Sequence, residues 1–258
     1  MCGIAGIWDL NNGTSRDLLA KEVTDMANNI KSRGPDSSGC WIDEKIGIAV
    51  SHRRLAIQDL SNNGNQPFLS KSGRYVIVFN GEIYNHRLLR EDLSKNSTKK
   101  ISWKGNSDTE TLLTCIEEWG FKSAIDKFAG MFAFALWDRK NRSMYLVRDR
   151  FGEKPLYFGF KYFNNRSRKS LLFASDLNAF RVLKGYQVNI NKSAFQSFIN
   201  QGFISAPLTI EDGINQLMPG HFIEIKFEDM DKLESSNFKP IKWWDPLEKS
   251  QNNGQLNI

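Results

Sequence analysis

A cysteine stands at position 2 of this 258-residue chain, and its place gives it a chemistry that the other cysteines lack. If Met1 is removed, Cys2 carries a thiol and a free α-amine on one residue. Their ordinary pKa values lie near ~8.5 and ~8, so the amine can take the thiol proton close to neutral pH, directly or through one water. Nucleophile and base then come from a single position. Gly3 lets the backbone pack closely beside it, and the apolar run that follows would hold the thiol rigidly. On this feature alone, a cysteine is more often an incidental thiol. Cys40 and Cys115 read as core thiols. Three cysteines at unrelated spacings fit neither a disulfide framework nor a CxxC metal or redox site. His52, His86 and His221 lie too far apart for the ligand spacing of a helical zinc site. His52 and His86 read as hydrogen-bonded structural residues.

The elements able to hold such a residue follow from periodicity. Residues 3–10, GIAGIWDL, are apolar at nearly every position, as in a strand buried on both faces. After a turn at Asn12-Gly13, Leu19, Val23, Met26 and Ile30 recur at helical spacing behind Ser15 as N-cap. Residues 39–42, 46–52 and 75–79 are short, β-branched or aromatic, and bounded by Gly, Ser or Asn, so they read as strands. Residues 107–110 have the S-x-x-E form of a capping box. Leu112, Leu113, Ile116 and Trp119 then make one apolar face ending at Gly120. Residues 131–138 and 143–149 pair as a hairpin, and 156–160 with 171–174 suggest another. Helices are expected over 176–183 and 192–201, and Pro219-Gly220 turns into an apolar stretch at 221–227. Residues 245–258 lack periodicity and read as a linker or frayed terminus.

Composition excludes several classes. With 40% hydrophobic and 25% charged residues the chain is ordinary globular material. No run approaches the roughly 20 apolar residues a membrane helix needs. The opening MCGIAGIWDLNNG lacks the basic start of a secretory signal, so a cytoplasmic location is expected. A net charge of +6 raises the question of anionic partners. Lys154, Lys161, Arg166, Arg168 and Lys169 lie among Tyr157, Phe160, Tyr162 and Phe163, a pattern that could meet nucleic acid. The plainer reading is a hairpin with a solvated tip, and nucleic acid is not the expected partner.

A series of motifs follows MCGIAG in order: RGPDSSG (33–39), SHRRLAIQDLS (51–61), QPF (66–68), FNGEIYNH (79–86), NSDTE (106–110), GMFAFALWD (130–138) and RDRFGEKPLY (148–157). Together they closely resemble the glutamine-hydrolysing domain of asparagine synthetases, a class II glutamine amidotransferase. The likeness runs from Met1 to about Asp176, and more loosely through MPGH (218–221) to Trp243-Trp244. The RGPDSSG variant resembles the asparagine synthetase branch rather than the sugar-phosphate and purine amidotransferases.

The resemblance implies an α+β fold, the four-layer αββα sandwich of N-terminal nucleophile hydrolases. It implies a glutaminase domain over 2–228, with 229–258 a linker or tail toward a synthetase domain. Arg54 would grip the substrate α-carboxylate with two parallel hydrogen bonds, and Leu55, Ile57 and Gln58 would line the substrate. The Asn80 side-chain amide and the Gly81 N–H would form an oxyanion hole. Glu82 and Asp108 would receive the α-ammonium group. Local alternatives stay open: an ion pair for Arg54, a hairpin turn for Asn80-Gly81, a helix-dipole partner for Asp108. Arg148-Asp149-Arg150 reads as a loop brace, in a region that faces the ammonia-receiving domain in the family.

The implied reaction is attack of Cys2 on the glutamine side-chain amide, loss of ammonia, and hydrolysis of the thioester to glutamate. It needs no metal or organic cofactor. ATP and Mg are expected only for a synthetase domain, whose Ser-Gly-Gly-x-Asp-Ser loop does not occur in this sequence, nor does a Walker A run. The expected partners are L-glutamine and a domain or chain accepting ammonia. No membrane is expected, and a homo-oligomer is compatible. The alternative is a catalytically idle module that binds an amino acid or a partner protein.

Overall fold

A computed structural model of the chain describes residues 1–11, 13–57, 59–97, 101–163, 168–232 and 238–247. Among them, strands form two six-stranded antiparallel sheets. The first contains β1 (Gly3–Asp9), β2 (Ser37–Asp43), β3 (Ile48–Arg54), β8 (Tyr157–Phe163), β9 (Arg168–Ala174) and β10 (Asn215–Gln216), in the order β10-β8-β9-β1-β3-β2. The second contains β4 (Phe68–Leu69), β5 (Tyr75–Ile83), β6 (Gly130–Asp138), β7 (Ser143–Arg148), β11 (His221–Lys226) and β12 (Ile241–Lys242), in the order β12-β11-β7-β6-β5-β4.

Three apolar clusters fix the layering. Ile4, Trp8, Val50, Val78, Ala135, Leu146 and Phe173 meet between the sheets. Ala5, Ile7 and Leu172 pack outward against α1 (Arg16–Asn29), through its Leu19, Val23 and Met26. Ile77, Phe79 and Phe134 pack outward from the second sheet against α2 (His86–Asn96), α3 (Asp108–Trp119) and α4 (Phe121–Ile125). The result is helix, sheet, sheet, helix, the αββα sandwich. A fifth helix, α5 (Lys192–Gln201), runs over the residues expected, from an Asn191 cap to left-handed Gly202.

Local signals with a cap or a tight turn are found where the sequence puts them. Ser15 accepts from Leu18 N to start α1, and Asp138 pairs with Ser143 across the β6–β7 turn. Other expectations are corrected. The helix expected over 176–183 is a 3-10 turn at Leu177–Ala179 followed by further three-residue closures. There the Asp176 carboxylate takes Asn178 N, while Ala179, Phe180 and Leu183 all turn inward. Cys40 is exposed rather than in the core, because β2 is an edge strand whose 38 and 40 positions face out. Cys115 is buried as expected. In the capping box Ser107 accepts from Glu110 N, but the Glu110 carboxylate does not return the bond. It takes Lys104 N and Gly105 N at 2.7 and 3.0 Å, folding the approach to α3 against its own first turn. No helix among the described residues is long and apolar enough to cross a membrane.

Candidate active site

Side-chain parity along the strands decides what shares a layer. On β1, Ile4 and Trp8 face the inter-sheet core while Ala5 and Ile7 face α1, so Cys2 continues the inner row. On β3, Ile48 and Val50 are inner, and His52 and Arg54 extend their row. On β5, Val76 and Val78 are inner, and Asn80 comes next. Because β1 and β3 are antiparallel, with Gly3 opposite Arg53, the start of one lies beside the end of the other. The apolar inter-sheet core therefore ends in a cluster of polar groups. It opens as a cavity of about 140 Å³ lined by Cys2, Arg54, Leu55 and Ile57 on one side, and by Asn80, Gly81, Glu82 and Asp108 on the other. Every site residue proposed from the sequence lies there except Gln58, which is outside the described residues.

The Cys2 sulfur accepts from Leu55 N at 3.4 Å, and its backbone carbonyl accepts from Arg33 Nε. Burial pushes the thiol pKa up, while Leu55 N–H, the amino terminus and Arg54 pull it back. The RGPDSSG segment braces this corner. Gly34 has no room for a side chain, since a Cβ there would sit 2.3 Å from Arg53 O. Asp36 accepts from Ala56 N, fixing the loop after Arg54.

Asn80-Gly81 is not a turn. β5 runs straight through it, with Asn80 opposite Ala133 and Gly81 opposite Phe132. Glycine is required by close approach, because a Cβ on Gly81 would lie 2.2 Å from Met131 O. Phe132 spends its carbonyl on Asp149 N and its N–H on the Asp149 carboxylate, both on the β7 side. The Gly81 N–H therefore points away from β6, in the same row as Phe79 N and Ile83 N, which bond Gln66 and Asp108. Asn80 is 1% exposed, and its buried Nδ2 has no hydrogen-bond partner. A buried unpaired donor is costly, and Asn80 and Gly81 both line the cavity.

Asp108 opens α3 and faces the same space. Its two carboxylate oxygens accept from Ile83 N at 2.8 Å and Thr109 N at 2.9 Å. Burial nevertheless pushes its pKa up to about 6, with the Glu82 charge adding to the shift. Arg54 is not an exposed ion pair. Its guanidinium donates to Ser61 O and Asn65 Oδ1 at 2.8 Å each and to Asp59 O. Three of five donors are thus spent on the 59–65 loop, leaving Nε and one Nη2 hydrogen for a carboxylate.

Sequence reasoning passed over other lining residues, chiefly Gln66, Thr109 and Met131, and read Lys154 only as part of a basic stretch. The QPF and RDRFGEKPLY motifs carried the signal for Gln66 and Lys154, but with no chemistry attached. Asp149 explains the second motif: its carboxylate takes Phe132, Phe151, Glu153 and Lys154 N, while Arg148 donates to Gly152, Lys154 and Leu217 carbonyls. That pair is a loop brace. The basic stretch is likewise spent internally. Lys154 is buried, Lys161 donates to Asp212 O, and Arg168 pairs with Glu22, while Arg166 is outside the described residues. His52 is buried with Nε2 3.1 Å from Phe79 O, a structural histidine. Among the described residues no group of three His, Cys, Asp or Glu side chains is placed to hold a metal ion.

Two facing antiparallel sheets between helices, with a cysteine at the head of the first strand aimed into the end of the sandwich, define an N-terminal nucleophile hydrolase fold. A B. subtilis glutamine phosphoribosylpyrophosphate amidotransferase structure, complexed with ADP and GMP, has the same fold: TM-score 0.62 at 18% identity, covering 94% of this chain and 49% of that one. The chain belongs to the glutamine amidotransferase domain family, whose model matches residues 1–238. It is 33% identical over 248 residues to asparagine synthetase [glutamine-hydrolyzing] 1 of Bacillus subtilis, covering 94% of this chain and 37% of that protein. To asparagine synthetase [glutamine-hydrolyzing] 2 of the same organism it is 39% identical over 179 residues, 69% of this chain and 22% of that protein. It thus spans well under half the length of these relatives.

Proposed function

We propose that this chain hydrolyses the side-chain amide of L-glutamine through a Cys2 thioester and supplies ammonia to an ATP-dependent amidation carried by another domain or chain. The observation that carries the reading is the buried, unpartnered Asn80 Nδ2 lining the cavity of the Cys2 thiol. In the proposed path the α-amine of an N-terminal Cys2 takes the thiol proton, and sulfur attacks the amide carbon. Negative charge gathers on the amide oxygen between Asn80 Nδ2 and Gly81 N–H. Collapse expels ammonia, which carries the transferred proton, and water then hydrolyses the thioester to glutamate. Arg54 meets the α-carboxylate, and Asp108 with Glu82 meets the α-ammonium. Leu55 and Ile57 wall the substrate. No metal or organic cofactor enters this half-reaction, and ATP and Mg belong to the accepting domain.

The test is covalent. A glutamine-analogue electrophile is expected to add to Cys2 alone, in protein whose intact mass lacks Met1. Label on Cys40 instead, or none on Cys2, overturns the mechanism.

Asp108 gives the reaction a pH signature. In the free enzyme its carboxyl titrates at about 6, so it is charged above that pH and neutral below it. Only the charged form attracts an ammonium group. We expect kcat/KM for glutamine to fall as pH drops through about 6, approaching tenfold per pH unit. In Asp108→Asn that step is expected to vanish and the plateau at pH 7.5 to drop at least about tenfold, measured by glutamate release from pH 5 to 8.

A further inference from the structure

β4 pairs only Phe68 with Ile77 and Leu69 with Val76, so the outer edge of β5 has no strand beside it at Phe79. That edge is satisfied by a side chain. Gln66 Oε1 accepts from Phe79 N at 2.6 Å, and Gln66 Nε2 donates to Phe79 O at 3.2 Å. One primary amide thus reproduces the two-bond exchange of an antiparallel hydrogen-bonded pair. The same Nε2 lies 3.4 Å from Thr109 Oγ1, the residue after Asp108. His52 Nε2 adds a second donor to Phe79 O at 3.1 Å. Burial pushes the His52 pKa down to about 3, so its ring stays neutral.

The clamp is itself held. Gln66 is 8% exposed, and its own carbonyl is wedged against Gly39, where a Cβ would sit 2.2 Å away. Phe79 directly precedes Asn80 and Gly81, both of which line the cavity. A small rotation of its peptide re-aims both, and oxyanion stabilisation depends steeply on where donors point.

We propose that Gln66 is a positioning residue: its amide clamps Phe79, aiming Asn80 Nδ2 and Gly81 N–H into the cavity, and ties that strand through Thr109 to the helix bearing Asp108. The assignment rests on the glutaminase reading. Gln66 spends both ends of its amide on the backbone of Phe79, so it acts through its neighbours rather than on substrate.

Wild type, Gln66→Ala and Gln66→Glu are compared for kcat and KM of glutamate release between pH 5.5 and 8, with thermal unfolding followed alongside. Gln66→Ala is expected to lower kcat by about tenfold or more while KM changes less than about threefold. Gln66→Glu separates aim from bulk. As a carboxylate it still accepts from Phe79 N but sets an oxygen against Phe79 O. Once protonated it donates there again. Its kcat relative to wild type at the same pH is expected to rise about tenfold from pH 8 to 5.5, which loss of packing would not produce. Parental kcat in Gln66→Ala, or a Gln66→Glu ratio flat with pH, overturns the proposal. If Gln66→Ala does not fold, the Gln66→Glu ratio decides alone. A wild type that releases no glutamate overturns the glutaminase reading and this assignment with it.

Discussion

Cys2→Ala is expected to cut glutamate release from glutamine by at least about a thousandfold while the protein unfolds at the parental temperature. The size follows from the mechanism, since Cys2 is the one thiol among the described residues lining the cavity, where the other groups of that kind are the unactivated hydroxyls of Ser107 and Thr109 and the amine of Lys154. Cys40 is exposed on the edge strand and Cys115 lies on the buried face of α3, so neither can substitute. The neutral effect on folding follows from position. Cys2 precedes β1, is only partly buried, and its sulfur gives the fold only weak contacts with the Leu55 backbone, accepting from Leu55 N at 3.4 Å and donating to Leu55 O at 3.7 Å. Coupled enzymatic measurement of glutamate, together with a thermal melt, checks both halves. Persistent hydrolysis at the parental rate would place the nucleophile elsewhere.

The second large effect is Asn80→Ala. Removing one oxyanion donor costs about a hundred- to a thousandfold in kcat, or roughly 3–4 kcal/mol of transition-state stabilisation. KM is expected to move little, because the ground-state amide asks less of that donor than the tetrahedral intermediate does. Stability does not follow the loss of rate. The Asn80 Nδ2 is buried and unpartnered in the free protein, so deleting it removes a desolvated donor. Alanine leaves a small void in exchange, and the net change in melting temperature is expected to be slight. Steady-state kinetics and calorimetry on one preparation test both. A parallel loss of kcat and of folded protein would mean that Asn80 braces the strand rather than the reaction.

Much of the scaffold could be read from residues because its determinants are local. Ser15 before an apolar 3.6-residue pattern predicts α1, and alternating runs around Arg139 to Arg142 predict the β6–β7 hairpin. Where reading stopped, the deciding contact was long-range. Asn80-Gly81 looks like a turn until Ala133 and Phe132 lie opposite it. Glu110 looks like the second half of a capping box until the backbone of Lys104 and Gly105 claims it. Cys40 reads as apolar filling until β2 is found at the sheet edge. The candidate site was legible as a set of types through the motif resemblance, and the structure brings Cys2, Arg54, Asn80, Gly81 and Asp108 to one cavity. The supports were not legible. Asp149 is the exception, a loop brace read from its own motif, but Gln66 and Gly34 meet backbone atoms far away in sequence, and a string of letters does not show which carbonyl lies within reach.

The shared inward row of Cys2, Arg54 and Asn80 on three separate strands bears on what kinds of genetic change the domain can absorb. Point substitutions test one side chain at a time, but a single-codon deletion inside β3 or β5 turns every later position of that strand to the opposite face. Arg54 would then look toward α1, or Asn80 toward α3, with the sheet still pairable. Drift in length should therefore collect in the connections, such as the one joining β8 to β9, while strand lengths stay frozen even where the residues on them change.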